Sequence, residues 1–305
     1  MPRPFVIVVT GATASGKTAV AIAVAERLGC EIISADSRQI YAGIPITTAA
    51  PTPEELARVK HHFVGTLPLD AYYSAAKYEE DVTALLPELF KRHGCAVVCG
   101  GSMLYIDAVT DGIDSLPTIS DSVRSRVLDI MDQHGLPGAL ALLENLDPEY
   151  AVRVDRSNPR RVAHALEICM QAGVPYSSLR TAGRVNRDFD IIKVAVDRPR
   201  AELFDRINRR VEQMVADGMV EEARGVYPLR HLNSLNTVGF KEMFAMFDGK
   251  MDRRTALDRL AKNTRVYAKK QLTWLARPGV RPARFVNPDT AAEDILRMVS
   301  SELNA

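Results

Sequence analysis

The hydrophobic pattern of the first hundred residues alternates between short apolar runs and longer helical repeats. Residues 5–10 form a β-branched apolar run, a glycine-rich turn follows, and residues 19–28 carry an alanine-rich helical pattern that ends at Gly29. Residues 31–35 have the composition of a second strand. Because a strand, a loop, a helix and a further strand make a βαβ unit, we predict an α/β protein built on a parallel sheet with helices on its faces.

Two further strands are predicted on either side of a segment with a different pattern. Cys95–Cys99 follows an amphipathic helix over residues 78–92, and Asp190–Val196 is another apolar run of strand length. Between these strands the pattern is helical and is interrupted by glycine and proline, which predicts helices over residues 121–134, 137–145 and 159–171. We therefore predict a core formed by residues 1–112 and 189–305, with a helical insertion domain over residues 113–188.

The C-terminal part of the core is predicted to be helical and strongly basic. Long helices are predicted over residues 200–224 and 253–277. The whole chain of 305 residues has a net charge of only +1, but residues 250–284 contain eleven Lys or Arg and two Asp. Such a local excess is typical of a polyanion-binding surface, and a solvated basic helix is the alternative interpretation.

The remaining composition excludes several classes of protein. No apolar run approaches the roughly 20 residues that span a bilayer, and the apolar run near the start is too short for a signal peptide, so we expect a cytoplasmic protein without membrane contact. The four cysteines lie in apolar stretches without CxxC spacing, which argues against a zinc site or a disulfide framework. We predict reduced core thiols at Cys30, Cys95, Cys99 and Cys169.

A glycine-rich motif separates the first predicted strand from the first predicted helix. It matches the phosphate-loop pattern GxxxxGK[ST] and consists of Gly11, Ala12, Thr13, Ala14, Ser15, Gly16, Lys17 and Thr18. The glycines allow backbone N–H groups to converge on phosphate oxygens, while the helix N-terminus and Lys17 supply positive charge. We therefore predict a diphosphate or nucleotide site on a P-loop core, with Mg²⁺ bound through Thr18. The alternative is a glycine turn with an incidental lysine.

Asp36 directly follows the second predicted strand and should lie at the carboxyl edge of the sheet, beside the phosphate loop. It is the candidate general base, although a P-loop kinase would use such an aspartate too, and a helix N-cap would need no chemistry at all. The Walker-B aspartate expected after an apolar strand is absent, because residues 97–99 (Val-Val-Cys) run into residues 100–102 (Gly-Gly-Ser). This absence favours a diphosphate ligand.

Five sequence motifs occur in order along nearly the whole chain. They are GATASGKT from Gly11, DSRQIY from Asp36, GGSMLY from Gly100, NTVGFKE from Asn236 and TRVYAKKQLTW from Thr264. Together they resemble the tRNA dimethylallyltransferase family. The resemblance implies a P-loop core with a helical insertion domain, and transfer of a dimethylallyl group from dimethylallyl diphosphate to N6 of adenine 37 beside the tRNA anticodon. It also implies that the anticodon stem-loop is bound, and we expect a monomer.

The same resemblance assigns catalytic roles. Asp36 corresponds to the general base, and the phosphate loop, with Lys17, corresponds to the diphosphate site. Ser102 stands where the family usually has threonine and keeps the hydroxyl, so it is predicted to take part in catalysis and tRNA contact. Arg210 matches the second arginine of an Arg-Ile-x-x-Arg pattern that begins at Arg206, and the i, i+4 spacing places both on one helix face, where they could clamp the diphosphate.

A larger set of residues is predicted to contact tRNA. In the insertion domain the family's Asn-Asp-Pro motif lacks its aspartate, and His164 stands in place of an arginine. The predicted tRNA contacts are Asp36, Ser37, Arg38, Gln39, Ser102, Arg124, Arg160, Arg161, His164, Asn236, Thr237, Val238, Gly239, Phe240, Lys241, Lys262, Arg265 and Lys269. The last three follow 3,4 spacing and share a helix face, with Tyr267 and Trp274 nearby as aromatic contacts or as core residues.

Two other functions share part of this pattern. A prenyltransferase acting on free adenine nucleotides would need the phosphate loop and Asp36, but it would leave the insertion domain and the basic helix without an obvious partner. A P-loop small-molecule kinase or a nucleotide-dependent RNA-binding switch is the third hypothesis, and the absence of a Walker-B carboxylate argues against it.

Overall fold

The computed structural model describes residues 3–114, 116–180, 185–277 and 283–303. The chain forms two compact units. The larger consists of Met1–Asp111 and Asn186–Ala305, and the smaller consists of Gly112–Val185. The smaller unit is therefore an insertion into the chain of the larger one.

A six-stranded sheet forms the centre of the larger unit, and every pair of neighbouring strands is parallel. The strands are β1 (Phe5–Gly11), β2 (Ile32–Ser34), β3 (His61–His62), β4 (Cys95–Cys99), β5 (Asp190–Val196) and β6 (Arg284–Val286). Their spatial order is β3-β2-β4-β1-β5-β6. The predicted α/β class with a P-loop parallel sheet is confirmed.

β1 lies between β4 and β5 in the middle of the sheet. All of its residues are buried, and Phe5 pairs with Cys95 on one side and with Asp190 on the other. Strands covered by helices on both faces cannot alternate between apolar and polar positions, which explains why these three strands are nearly continuous apolar runs. The phosphate loop therefore begins at the end of a buried central strand.

The helices of the first half include the two that the sequence predicts, over residues 19–28 and 78–92. They are α1 (Lys17–Leu28), α2 (Pro45–Thr48), α3 (Pro53–Arg58), α4 (Ala75–His93) and α5 (Met103–Asp111). α1 ends at Leu28 and is capped by Gly29, as predicted. The helix predicted over residues 78–92 begins earlier, because the Ser74 side chain caps it by accepting a hydrogen bond from the Lys77 backbone N–H at 3.1 Å.

The smaller unit is helical. Its elements are α6 (Asp121–Leu146), α7 (Pro148–Arg153), α8 (Pro159–Ala172) and α9 (Tyr176–Leu179). The two helices predicted over residues 121–134 and 137–145 both lie within α6 and are separated at Gly135, whose φ of 62° and ψ of −172° are not helical. Asp147 is fully buried, and its carboxylate accepts hydrogen bonds from the backbone N–H groups of Tyr150 and Ser177 at 2.9 and 2.6 Å. It therefore fixes the start of α7 against α9.

The last part of the larger unit contains α10 (Arg200–Ala216), α11 (Met219–Val226), α12 (Phe240–Phe247), α13 (Arg253–Leu275) and α14 (Ala291–Leu303). The prediction of one helix over residues 200–224 was wrong. The helix is interrupted at Gly218, between α10 and α11. Gly218 has a φ of 100°, which residues with a Cβ atom rarely adopt. The break lets Met219 and Ala223 of α11 turn into a core cluster that also contains Met243 and Leu260.

Among the residues that the structure describes, no helix is both long enough and apolar enough to cross a bilayer. The four cysteines are buried and form no disulfide. The predicted core position of these thiols is confirmed.

Candidate active site

The phosphate loop connects the buried end of β1 to the start of α1. Gly16 caps the helix with a φ of 99°, and Lys17 and Thr18 are its first two residues. The first N–H groups of an α-helix have no partner within the helix and point along its axis with the positive end of the helix dipole. The loop therefore presents N–H donors and positive charge at the carboxyl edge of the sheet.

Lys17 lies near both a guanidinium and a carboxylate. Burial and the neighbouring Arg210 guanidinium lower the pKa of Lys17, while the nearby Asp36 carboxylate opposes this shift. Burial also lowers the pKa of Arg210. Two neighbouring cations that are partly removed from solvent disfavour each other, and a bound polyanion removes that penalty. The pair is therefore arranged to take an anion with more than one negative charge.

Three arginine side chains hold the phosphate loop from outside. The Nε atoms of Arg198 and Arg206 donate to the carbonyl oxygens of Ser15 and Ala14 at 2.7 and 2.9 Å. Arg210 reaches the Thr13 hydroxyl at 3.5 Å. Sequence reasoning had found Arg206 and Arg210 but missed Arg198. The signal for Arg198 was its position just after β5, a strand that pairs with β1 and ends at the same edge.

Asp36 lies at the end of β2 and faces the same cavity as Lys17. Its Oδ1 atom accepts hydrogen bonds from the backbone N–H groups of Arg38 and Gln39 at 2.9 and 3.3 Å. The helix N-cap alternative is wrong, because the described residues directly after Asp36 begin no helix. The carboxylate instead caps the turn over residues 37–40, and this is a local structural role. It does not exclude the catalytic role, because the same carboxylate lines the cavity.

The residues after Asp36 are held by neighbouring loops. Ser102 Oγ accepts a hydrogen bond from the Ser37 backbone N–H at 2.8 Å. Arg38 donates to the carbonyl oxygens of Asn233 and Ser234 at 2.7 and 3.1 Å. Gln39 donates to those of Thr48 and Ala49 at 3.2 and 2.9 Å. Much of this predicted tRNA segment therefore makes structural hydrogen bonds.

The phosphate loop and the segment from Asp36 to Gln39 line one open cavity of about 1040 Å³. Predicted site residues on its wall include Thr13, Ala14, Gly16, Lys17, Thr18, Asp36, Ser37, Arg38, Gln39, Ser102, Arg210, Thr237 and Val238. Apolar side chains form another part of the wall, among them Ile46, Ile207, Val211, Met214 and Leu260. A cavity with both kinds of wall suits a ligand that has an anionic group and a small hydrocarbon group.

Helix α13 presents two different faces. Leu260, Thr264, Tyr267 and Gln271 are spaced by four, three and four residues, and all line the cavity. Tyr267 is 37% exposed, and the partial burial of its ring raises the pKa of the phenol to about 12. Because successive helix residues are rotated by about 100°, the exposed Lys262 and Lys269 lie on the opposite face.

Arg265 lies between these faces and donates to Asn208 Oδ1 at 2.6 Å. The structure thus does not bring Lys262, Arg265 and Lys269 to the cavity. Trp274 is partly buried, and its indole N–H donates to Asp107 at 3.0 Å.

The segment 236–241 divides between the cavity, the surface and the core. Thr237 and Val238 line the cavity, while Asn236 and Lys241 are exposed. The prediction that Phe240 contacts tRNA was wrong, because its side chain is fully buried and stacks on Phe244 with ring centres 5.6 Å apart. Gly239 is also buried, and its N–H donates to the Glu242 carboxylate at 2.7 Å.

In the smaller unit, the predicted contacts Arg124, Arg160, Arg161 and His164 are all exposed. The Arg124 Nε atom lies 4.0 Å from one carboxylate oxygen of Glu167, and His164 Nδ1 lies 3.8 Å from the other. Glu167 therefore brings Arg124 and His164 to one surface of this unit.

No group of three or more His, Cys, Asp or Glu that could hold a metal ion occurs in the described part of the chain. A phosphate loop does not need such a group, because its threonine and the ligand's own phosphate oxygens share the ion. Thr18 lines the cavity at the start of α1, where this arrangement requires it.

This chain is a P-loop α/β protein whose cavity is suited to an anionic ligand with an apolar part. The phosphate loop, Asp36 and apolar side chains all line that cavity. The family model described as IPP transferase matches residues 39–278. A protein of Phocaeicola vulgatus named tRNA dimethylallyltransferase 1 is 53% identical over 287 residues, which cover 94% of this chain and 95% of that protein. The chain belongs to the IPP transferase family.

Solved structures agree with this assignment. The crystal structure of the tRNA isopentenylpyrophosphate transferase of Bacillus halodurans is 31% identical, with a TM-score of 0.71 over 99% of this chain and 97% of that one. A eukaryotic dimethylallyltransferase acting on tRNA has a TM-score of 0.83 over 98% of this chain and 79% of that one. At 22% identity the second likeness shows a shared fold.

Proposed function

We propose that this chain transfers a dimethylallyl group from dimethylallyl diphosphate to N6 of adenosine 37, next to the tRNA anticodon, and releases diphosphate. Membership of the IPP transferase family supports the prenyl donor, and the names of the relatives support tRNA as acceptor. The single observation that carries the proposal is the cavity, in which Lys17, Asp36 and an apolar wall occur together. We further propose that the enzyme acts as a monomer in the cytoplasm.

The transfer makes one bond and breaks one bond. The N6 lone pair attacks C1 of the allyl group while the C1–O bond to diphosphate breaks, and the N6 proton passes to the Asp36 carboxylate. An exocyclic amine of adenine is a weak nucleophile, and its proton becomes acidic only as the N–C bond forms. A fixed carboxylate within reach is therefore sufficient as the base.

The larger requirement is to stabilise the departing diphosphate. Lys17, the N–H groups at the start of α1 and Arg210 provide fixed positive charge at the loop. We propose that Mg²⁺ is the accompanying metal and that the Thr18 hydroxyl holds it. Bound there, it would neutralise part of the charge on the leaving group. The apolar wall near Ile207 and Val211 would take the hydrocarbon part of the donor.

The acceptor base must leave its stack to reach this cavity, and an unpaired loop nucleotide can do so at low cost. We propose that exposed basic residues of α13 and of the smaller unit bind the phosphates of the anticodon stem-loop. Such contacts position an RNA without reading its sequence. They include Lys262 and Lys269 in α13 and Arg124, Arg160 and Arg161 in the smaller unit.

Incubation with labelled dimethylallyl diphosphate and Mg²⁺, in parallel with bulk tRNA and with AMP, tests the proposal. Label should enter tRNA and should be lost when adenosine 37 is replaced by guanosine, which has no N6 amine. Label in AMP alone would instead assign the chain to the transferases of free nucleotides.

A further inference from the structure

Gln271 is a buried amide that connects three separate parts of the larger unit. Its Oε1 atom accepts a hydrogen bond from the Thr13 backbone N–H at 2.8 Å, and its Nε2 atom donates to the Gly101 carbonyl at 2.9 Å. The residue is only 3% exposed, and what remains exposed lines the cavity. One side chain of α13 thus holds both the phosphate loop and the loop that follows β4.

The loop after β4 packs closely against this amide and against the end of β2. A Cβ atom at Gly101 would lie 2.4 Å from Gln271 Nε2, and a Cβ atom at Gly100 would lie 2.1 Å from the Ala35 carbonyl oxygen. The two glycines therefore fit tightly between the end of β2 and Gln271. Ser102 comes next and accepts a hydrogen bond from Ser37, so the position of the Asp36 turn depends on the same packing.

We propose that Gln271 is a positioning residue for prenyl transfer, whose amide sets the distance between the diphosphate loop and the Asp36–Ser102 side of the cavity. The inference rests on the proposed function. Transfer requires the allyl carbon, fixed through its diphosphate, and the N6 amine, placed near Asp36, to approach in line. A displacement of one side by about 1 Å can cost about a hundredfold in rate.

An amide is suited to this task because it has an acceptor and a donor on one rigid plane. A glutamate at position 271 in its ionised form accepts from Thr13 but cannot donate to Gly101. In its protonated form it regains the donor and reproduces the amide's two hydrogen bonds. A methionine of similar volume can make neither bond at any pH.

The test compares Gln271→Glu and Gln271→Met with the unchanged protein between pH 6 and pH 8, with rates expressed per folded molecule. At pH 8 both variants should lose about a hundredfold in kcat. Burial raises the pKa of a carboxyl group, so Gln271→Glu should recover relative to the unchanged protein by about fivefold or more as the pH falls to 6. Gln271→Met should show no such recovery.

Gln213 provides the matched control. It also lines the cavity, but it is exposed and donates to Asp217 Oδ1 at 2.8 Å. Gln213→Glu adds the same charge to the same cavity without touching the phosphate loop. Its rate relative to the unchanged protein should therefore stay constant between pH 6 and pH 8.

The positioning role would be overturned if kcat of Gln271→Glu, divided by kcat of the unchanged protein, did not change with pH. A normal kcat in Gln271→Met would overturn it too. Binding of inorganic diphosphate with Mg²⁺, measured by calorimetry, separates this result from failure of the proposed function. Positioning predicts that diphosphate affinity falls less than tenfold in the variants while kcat falls about a hundredfold. An equal fall in both would reduce Gln271 to a support of the loop and would also overturn the inference.

Discussion

Glu31 and Asp36 flank the two ends of β2, and their surroundings differ sharply. Glu31 precedes the strand at the amino edge of the sheet, where four basic side chains surround its carboxylate. His62 Nε2 lies 2.6 Å from it, Lys60 Nζ 3.4 Å and His93 Nε2 3.3 Å, and Arg92 forms an ion pair with it. Burial alone would raise the pKa of Glu31. Hydrogen bonds from His62 and His93 and the charges of Lys60 and Arg92 outweigh burial and lower this pKa to about 2.

Asp36, at the carboxyl edge, has a different set of partners. It accepts hydrogen bonds from two backbone N–H groups and faces the cavity. Within the part of the chain that the structure describes, no lysine or arginine nitrogen lies within 4.0 Å of its carboxylate, which leaves the group accessible to a proton donor from a substrate.

The difference follows from the topology of a parallel sheet. Loops at the carboxyl ends of the strands converge on a crevice, and ligands bind there. At the amino ends of β2 and β3 the Glu31 ion cluster occupies the edge of the sheet instead. A carboxylate with many charged partners stabilises the fold, whereas one with few partners beside a cavity can exchange protons with a ligand. Glu31 is also the more buried of the two, but its charged partners are what fit it to a structural role.

The substitution with the largest expected effect is Asp36→Asn. It keeps the oxygen that caps Arg38 and Gln39 but removes the proton acceptor, so single-turnover prenyl transfer should slow by about 10³. Urea unfolding should remain within about 0.5 kcal/mol of the unchanged protein. A nearly normal single-turnover rate would show that another group takes the proton.

Glu31→Gln should give the opposite pattern. It leaves the four basic side chains around position 31 without their counter-charge and should cost about 3 kcal/mol of unfolding free energy, with kcat per folded molecule within about twofold. Urea midpoints at pH 7 test the first part. Glu88→Gln is the control, because Glu88 is exposed and pairs with the same Arg92, and it should cost less than about 0.5 kcal/mol.

The loss of unfolding free energy in Glu31→Gln should depend on pH with a defined sign. Because the pKa of Glu31 is lower in the folded state, its contribution is complete above its ordinary value of 4.5 and is lost as the pH falls toward about 2. The gap between the unchanged protein and Glu31→Gln should therefore shrink by about 1 kcal/mol between pH 6 and pH 3.5. A constant gap would mean that the ion cluster contributes nothing through charge.

Lys17→Ala tests the anion side of the cavity. Loss of one fixed charge at the departing diphosphate should lower kcat by about 10², while the dissociation constant for tRNA stays within about twofold. Filter binding with labelled tRNA measures the second quantity. If tRNA binding and turnover fell together, Lys17 would have to contact the RNA as well.

The smallest effect is expected at the exposed face of α13. Changing Lys262 and Lys269 to Gln should weaken every tRNA to a similar degree and reduce the slope of log K against log salt by about 1.4 to 1.8, since each phosphate contact contributes about 0.7 to 0.9. At saturating tRNA, kcat should return to within about twofold. Lys250→Gln is the control, because Lys250 is exposed and pairs with Asp248. An unchanged slope in the double variant would show that the RNA docks elsewhere.

The sequence predicted what depends on local patterns. The apolar runs identified β1, β4 and β5, and the motif from Gly11 to Thr18 identified the phosphate loop, because strand and helix periods and P-loop spacing are properties of short segments. Asp36 could be placed because a residue after a parallel strand must lie at one edge of the sheet. The break at Gly218 was missed, since an isolated glycine can also remain inside a helix.

Residues that act over long sequence separations could not be predicted in this way. Gln271 bonds to Thr13 across 258 positions and Arg198 bonds to Ser15 across 183. Neither contact leaves a periodic signal. Phe240 shows the opposite error, because a motif records that a segment matters without saying which side chains face a ligand and which face the core. Only packing separates the two.

The position of the insertion also determines when the site can form during synthesis. β1 leaves the ribosome early. The residues that complete its surroundings follow only after the smaller unit has been made, namely β5, Arg198 and Gln271. At about 5 to 20 residues per second, roughly 13 to 50 s separate β1 from Gln271. Until β5 and the arginines at positions 198, 206 and 210 emerge, β1 has an unpaired edge and its phosphate loop lacks their hydrogen bonds. The nascent chain must therefore keep the free edge of β1 from other partners until β5 has emerged.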